Sequence, residues 1–309
     1  MQTAAFNPAL LRTSVFAVPP LARDANGIVC PDENEKIIRY LEQGGVRSIL
    51  YGGNAVFYHM RLSEYDEVLR MLAQRSGDET VIVPSIGPAY GVAADQVDVL
   101  RDHDFGTVML LPSRDVVDQA GIASGVRQLA EQLGKPIVLY LKFDRWLKPS
   151  LIKALEDDGA ISWIKYAVVR DDPADDDYLR EVLEVFPAER VVSGIGEQPA
   201  IVHLNDFGVT GFTSGCVCVA PKRSMEMMHA IHAGDLETAE SIRKWFLPLE
   251  DLRNGINPIR VLHHAVAEAG IAHTGDLLPM LSNLSADEIA QIAKAVSAMM
   301  VDEKNATSV

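Results

Sequence analysis

The sequence predicts an α/β protein, a (β/α)8 TIM barrel with additional C-terminal helices. Three observations lead there. Eight short runs rich in Val, Ile and aromatics alternate with helical patterns of about 10–15 residues, which is the pattern of βα units. The series fills roughly 230 of the 309 residues with no Pro/Ser-rich linker to divide it, and that is the length of one barrel. The first strand runs into Val18-Pro19-Pro20, whereas a doubly wound open sheet usually places a glycine-rich turn there.

Residues 14–18 form the first strand, stopped by the two prolines. Ile37, Ile38 and Leu41 share one face of a helix over 32–43, which Gly44-Gly45 ends. A second strand over 46–51 leads through Gly52-Gly53-Asn54 into a helix over 62–73. Further strands are predicted at 80–86, 106–111, 136–141, 161–167, 190–193 and 208–214. The barrel domain is therefore assigned to residues 14–232. Helical patterns at 235–253, 258–269 and 286–300 exceed what the barrel needs. They define a helical extension over 233–309, packed on the barrel or building a subunit contact.

Composition narrows the function. Nearly half of the chain is apolar, enough for a large core, and the formal charge is -15 with a pI near 4.9. Nucleic acid and anionic membranes both require clustered Lys and Arg, so neither is an expected partner. Three cysteines give no even framework, and Cys216-x-Cys218 lacks a second ligand pair for zinc. No metal is expected. The chain starts without a basic segment followed by an apolar one, and no apolar run reaches about 18 residues, so a soluble cytoplasmic protein is expected.

One strand carries a charge. In Ile161-Ser162-Trp163-Ile164-Lys165-Tyr166-Ala167 the lysine sits in an apolar, β-branched run, and lysine is rarely buried without a reason. A desolvated lysine loses its proton more easily and attacks carbonyls to form a Schiff base. The alternative is a strand-end lysine that snorkels to solvent. Of ten lysines, only Lys142 and Lys165 lie at strand ends. In a barrel the carboxyl ends of the strands form the active face, which selects Lys165, Tyr140 on the neighbouring strand, and Lys142, two residues beyond Tyr140 and so on its face. Lys142 is the rival nucleophile or a substrate-binding cation.

These residues, in this order, resemble the dihydrodipicolinate synthase / N-acetylneuraminate lyase family. The resemblance rests on Tyr140 followed by Arg145, on Ile164-Lys165, on Ser193-Gly194, on Gly208-Val209-Thr210-Gly211-Phe212-Thr213-Ser214-Gly215 with Pro221 after it, and on Asn257-Pro258-Ile259. It runs from about residue 14 to residue 270. It implies class I aldolase-type chemistry: a lysine forms an imine with pyruvate or another 2-oxo acid, with no separate cofactor, in a homo-oligomer, often a tetramer of tight dimers. Carried over by position, Lys165 is the imine-forming lysine and Tyr140 the proton relay. Arg145 holds a substrate carboxylate, Gly194, Phe212 and Thr213 line the pocket wall, and the loop Gly53-Asn54-Ala55 cradles the 2-oxo acid carboxylate with backbone N–H groups.

The chain also departs from that family. Where many members have Gly-Thr-Thr-Gly-Glu it has Gly53-Asn54-Ala55-Val56-Phe57-Tyr58, and where the synthases carry Pro-Tyr-Tyr it has Pro112-Ser113-Arg114. The Asn and Pro of Tyr-Asn-x-Pro-x-Arg are Leu141 and Phe143. A sugar-acid aldolase, a dehydratase of a deoxy sugar acid, or a divergent member with an altered substrate is thus expected in place of dihydrodipicolinate synthesis itself. The competing reading is a non-covalent binding or regulatory barrel, or a phosphate-binding one, in which Lys165 only pairs with an anion. Weaker signals have plain structural readings: Gly194-Ile195-Gly196 as a tight turn, the acid run 171–177 as complement to a helix dipole, and His229, His232, His263 and His264 as packing or surface residues.

Overall fold

The computed structural model describes residues 1–3 and 6–305. Its barrel is built in chain order from β1 (Phe16–Ala17), α1 (Pro31–Gln43), β2 (Ser48–Leu50), α2 (Leu62–Arg75), β3 (Val81–Val83), β4 (Ser85–Ile86), α3 (Tyr90–Leu100), β5 (Met109–Leu110) and α4 (Gln119–Leu133). It continues through β6 (Ile137–Leu141), α5 (Pro149–Asp157), β7 (Ile161–Tyr166), α6 (Asp177–Leu183), β8 (Val191–Ser193), α7 (Ala200–Asn205), β9 (Gly211–Ser214) and α8 (Pro221–Ala233). Every strand pairing is parallel, with spatial order β3-β2-β1-β9-β8-β7-β6-β5-β4.

The third predicted strand, 80–86, is found as the two segments β3 and β4. Pro84 between them has no N–H to give to a ladder, while its carbonyl still accepts from Met109 N–H at 2.9 Å. Because β3 pairs with β2 and β4 with β5, the ring closes through the chain at Pro84. Nine segments therefore make eight staves, each at the place the sequence predicts.

Register decides which side chains face the lumen. Tyr140, Lys165, Val192 and Gly211 are matched across β6, β7, β8 and β9, and the next row is Leu141, Tyr166, Ser193 and Phe212. The second row points outward: Tyr166 Oη donates to Asp176 just before α6, and Ser193 Oγ pairs with His203 Nδ1 of α7. Alternation along a strand then turns the Lys165 row inward. Trp163, two residues earlier on the same face, closes the lumen below Lys165 against Phe16 at 5.1 Å and Phe6 at 6.4 Å between ring centroids. Full burial of such an aromatic contributes about 1.5–3 kcal/mol, so Trp163 acts as a floor that keeps water out from beneath the lysine.

Beyond α8, the helices α9 (Leu236–Gly255), α10 (Pro258–Glu268) and α11 (Ala286–Asn305) match the three predicted ones. They pack on one another and on α8. Asn257 caps α10 through Ile259 and Arg260 N–H, and Pro258 at the first turn needs no donor. His263 bonds Gly275 O and His264 accepts from Leu284 N–H, so both fasten the C-terminal segment. Asp176, from the acid run, caps α6 through Leu179 N–H. No helix among the described residues is long and apolar enough to cross a membrane.

Candidate active site

Lys165 is 6% exposed and its Nζ lies 4.6 Å from the centroid of the Tyr140 ring. Burial, followed by the nearby charges of Lys142 and Arg253, lowers its pKa from 10.5 to about 7. A lysine with that value is roughly half neutral amine near pH 7, the form that attacks a carbonyl. Burial raises the Tyr140 hydroxyl to about 12 against the opposing field of Arg253, so it is held protonated beside the amine. The register accounts for the pairing: Tyr140 and Lys165 are direct neighbours on adjacent strands.

Gly194 is required by the lysine stem. A Cβ there would lie 3.0 Å from Lys165 Cγ, 2.7 Å from Ala167 Cβ and 2.9 Å from Tyr166 O. Its N–H donates to Tyr166 O at 2.6 Å, which draws the loop after β8 tightly against β7.

The loop after β2 folds back on itself, with Val56 N–H donating to Gly53 O and Phe57 N–H to Gly52 O. Val56 adopts a left-handed conformation with φ 56°. The N–H groups of Asn54 and Ala55 meet no protein acceptor among the described residues, and Ala55 is buried. Adjacent backbone donors left unpaired are the kind of group that can receive an anion. The Asn54 side chain is occupied structurally, donating to Val18 O at 2.8 Å across to the end of β1. A groove of about 750 Å³ lined by Arg23, Ile28, Arg61, Met71 and Met280 opens beside this loop and not over Lys165.

Four other expected positions are placed as follows. Arg145 is exposed and its guanidinium forks onto Glu181 at 2.5 and 2.8 Å, over the Tyr178 ring. That carboxylate occupies the fork the sequence assigned to substrate. Phe212 lies within β9, in the row that faces the helices, and is fully buried; it supports the wall from outside without lining the mouth. Thr213, one residue on, turns inward and is buried opposite Phe16. Lys142 is exposed, with Nζ 5.5 Å from the Tyr58 ring centroid and 5.9 Å from that of Phe143. Its ammonium pKa is lowered by partial loss of water, and its charge adds to the field that lowers Lys165.

The structure adds residues that sequence reasoning missed. Glu197, in the loop after β8, is fully buried and accepts from Ser214 Oγ at 2.8 Å and Ser224 Oγ at 2.6 Å. Glu250 of α9 accepts from Glu197 N–H at 3.0 Å and supports Gly196, whose φ of +107° suits only glycine. With Cys216 these two place ligand-type atoms within 4.8 Å of one another. Burial raises the pKa of all three groups, and both Glu197 oxygens already accept hydroxyl donors, so the cluster fits a hydrogen-bonded brace better than a cation site. Arg253, one turn after Glu250, donates from Nη1 to Ile195 O at 2.9 Å. In the sequence, Glu250-x-x-Arg253 reads as an ordinary surface pair on a helix; nothing local marks it as reaching the barrel mouth.

Comparison with known proteins agrees with the fold. A family model described as the dihydrodipicolinate synthetase family matches residues 11–299. A 4-hydroxy-tetrahydrodipicolinate synthase of Stutzerimonas stutzeri is 26% identical over 273 residues, covering 86% of this chain and 90% of that one. A probable 5-dehydro-4-deoxyglucarate dehydratase of Rhizobium rhizogenes is 23% identical over 257 residues, 79% of this chain and 81% of its own. Among solved structures, the dihydrodipicolinate synthase of Oceanobacillus iheyensis superposes with a TM-score of 0.82 at 22% identity, over 93% of this chain and 96% of that one. The chain belongs to the dihydrodipicolinate synthetase family and is a lyase of the class I aldolase type.

Proposed function

We propose that the protein is a Schiff-base lyase or dehydratase acting on a 2-oxo acid through an imine on Lys165. The observation that carries this is the buried Lys165 amine, with a pKa pulled to about 7 and Nζ against the Tyr140 ring. In this reading the neutral amine adds to the C2 carbonyl and the carbonyl oxygen leaves as water. The resulting iminium draws electrons from the bond to C3 as a proton or a carbon fragment departs. Tyr140, held protonated, gives a proton to the departing oxygen and takes one back later. The free N–H groups of Asn54 and Ala55 receive the C1 carboxylate. Lys142 lends positive potential at the rim, and Gly194 leaves room for the lysine stem.

Relatives in both synthase and dehydratase classes support the chemistry without selecting the substrate. The sequence at 53–58 and 112–114 favours a sugar-acid substrate over the synthase reaction, because the threonine and tyrosine side chains of the synthases are missing. The test is borohydride reduction in the presence of pyruvate, read by intact mass, on the wild type and Lys165→Ala. An adduct on the first and none on the second is expected. No adduct on either chain, with pyruvate and with longer 2-oxo sugar acids, refutes the imine.

A further inference from the structure

Arg253 is a cation at the barrel mouth with three of its five N–H donors free of protein acceptors among the described residues. Its side chain is only 14% exposed, and Nη1 is engaged by Ile195 O at 2.9 Å and approaches Asn254 Oδ1 at 3.4 Å. The nearest carboxylate oxygen of Glu250 is 3.9 Å from Nη1, beyond a hydrogen bond. Nε is buried and has no partner, and Nη2 donates to no protein acceptor among the described residues. Nε–H and Nη2–H form one edge of the guanidinium, the edge that takes a carboxylate side-on through two parallel hydrogen bonds. Leaving Nε–H buried and unpaired is unfavourable, and with Nη2 open beside it the edge is placed to take a ligand.

Its position relates it to Lys165. Gly194 touches the lysine stem, Ile195 carries the carbonyl that holds Arg253, and a Cβ on Gly196 would sit 3.4 Å from Nη1. Arg253 therefore flanks the same loop that walls the amine, and its charge acts on both Lys165 and Tyr140. Burial raises the carboxyl pKa of Glu197, and burial together with the neighbouring Glu197 raises that of Glu250, which limits the negative charge they set beside Arg253. Arg145, the position expected to bind a carboxylate, is closed on Glu181.

We infer that Arg253 binds a second carboxylate of the substrate, at the end remote from the keto group, through its Nε/Nη2 edge, so that the site selects 2-oxo diacids over 2-oxo monoacids. This deepens the proposed function and rests on it for the place of the keto carbon.

The experiment compares chain-matched pairs: 2-oxoglutarate with 2-oxopentanoate, and 2-oxoadipate with 2-oxohexanoate. The second-order rate of borohydride trapping is measured for each, and the diacid-to-monoacid ratio is taken within each variant, so that any general change in amine reactivity cancels. The wild type is expected to favour the better-fitting diacid tenfold or more. Arg253→Met should bring the ratio to within about threefold of unity, and Arg253→Lys, which keeps charge but loses the fork, should fall between. Circular dichroism and melting temperature establish that both variants are folded, and Arg253→Lys alone serves if Arg253→Met is not. A wild-type ratio near one overturns the assignment, as does a high ratio that survives Arg253→Met or one that collapses in Arg145→Ala instead. If no acid is trapped, the imine reading fails separately, and calorimetric titration with the same pairs decides the Arg253 assignment by the same ratio.

Discussion

Replacing Lys165 with methionine should make the protein more stable while abolishing imine trapping. The substitution keeps an unbranched stem of similar volume beside Gly194 and removes an amine that is 6% exposed. In the unfolded chain the ammonium titrates at its ordinary 10.5, whereas in the fold burial brings it to about 7. At pH 6.5 that difference corresponds to about 4–5 kcal/mol of penalty for the folded state. At pH 9.5 most native molecules already hold a neutral amine, as do few unfolded ones, and only about 1–2 kcal/mol remains. The sign follows from proton counts: between pH 7 and about 10 the unfolded state binds more protons, so wild-type stability rises with pH relative to the variant. The assay is urea unfolding of both chains at pH 6.5 and 9.5. Lys165→Met is expected to lead by about 2–4 kcal/mol at the lower pH, with the lead shrinking by about 2–3 kcal/mol at the higher. A variant no more stable than the wild type at pH 6.5, or a lead that does not change with pH, refutes the desolvated-amine argument.

The first of the other predictions rests on the same lowered amine pKa, and the rest stand on separate contacts. The pyruvate trapping rate of the wild type should climb as pH rises through about 7, tracking the neutral form of Lys165; a rate still rising steeply above pH 9 would place the amine at its ordinary value. Tyr140→Phe should slow trapping by about 10²–10⁴-fold if its hydroxyl moves protons, with a change under threefold removing that role. Gly194→Ala forces a Cβ to within 2.7 Å of Ala167 Cβ and 3.0 Å of Lys165 Cγ, and should destabilise by about 1–3 kcal/mol in urea while slowing trapping. Asp176→Ala removes the buried acceptor of Tyr166 Oη, Arg170 and Leu179 N–H, and a loss of about 3–5 kcal/mol is expected. Glu181→Gln, by contrast, breaks an exposed ion pair with Arg145 and should change urea stability by less than about 1 kcal/mol.

Features that depend on local pattern were legible in the sequence. Period-2 and period-3.6 hydrophobicity located all eight staves and the three C-terminal helices, because each element must turn its apolar face to one core whatever its partners are. Lys165 stood out for the same reason: a charge inside an apolar strand is visible without knowing the neighbours. The break at Pro84 was also written in the chain, as a residue without an N–H inside a strand, although the strand read as continuous.

What tertiary structure decided is which side chains meet. Register set Tyr140 beside Lys165 and turned Phe212 toward the helices, and a shift of one residue would have exchanged the two faces. Arg145 looked like a carboxylate receptor until α6 placed Glu181 in its fork. Arg253, some ninety positions after Lys165, reached the mouth only because α9 packs across the end of the barrel and braces the loop at 194–197 through Glu250. Periodicity along a chain determines the faces that elements bury; which charges end up opposite one another depends on the crossing of elements distant in sequence, and that information exists only once the core has packed.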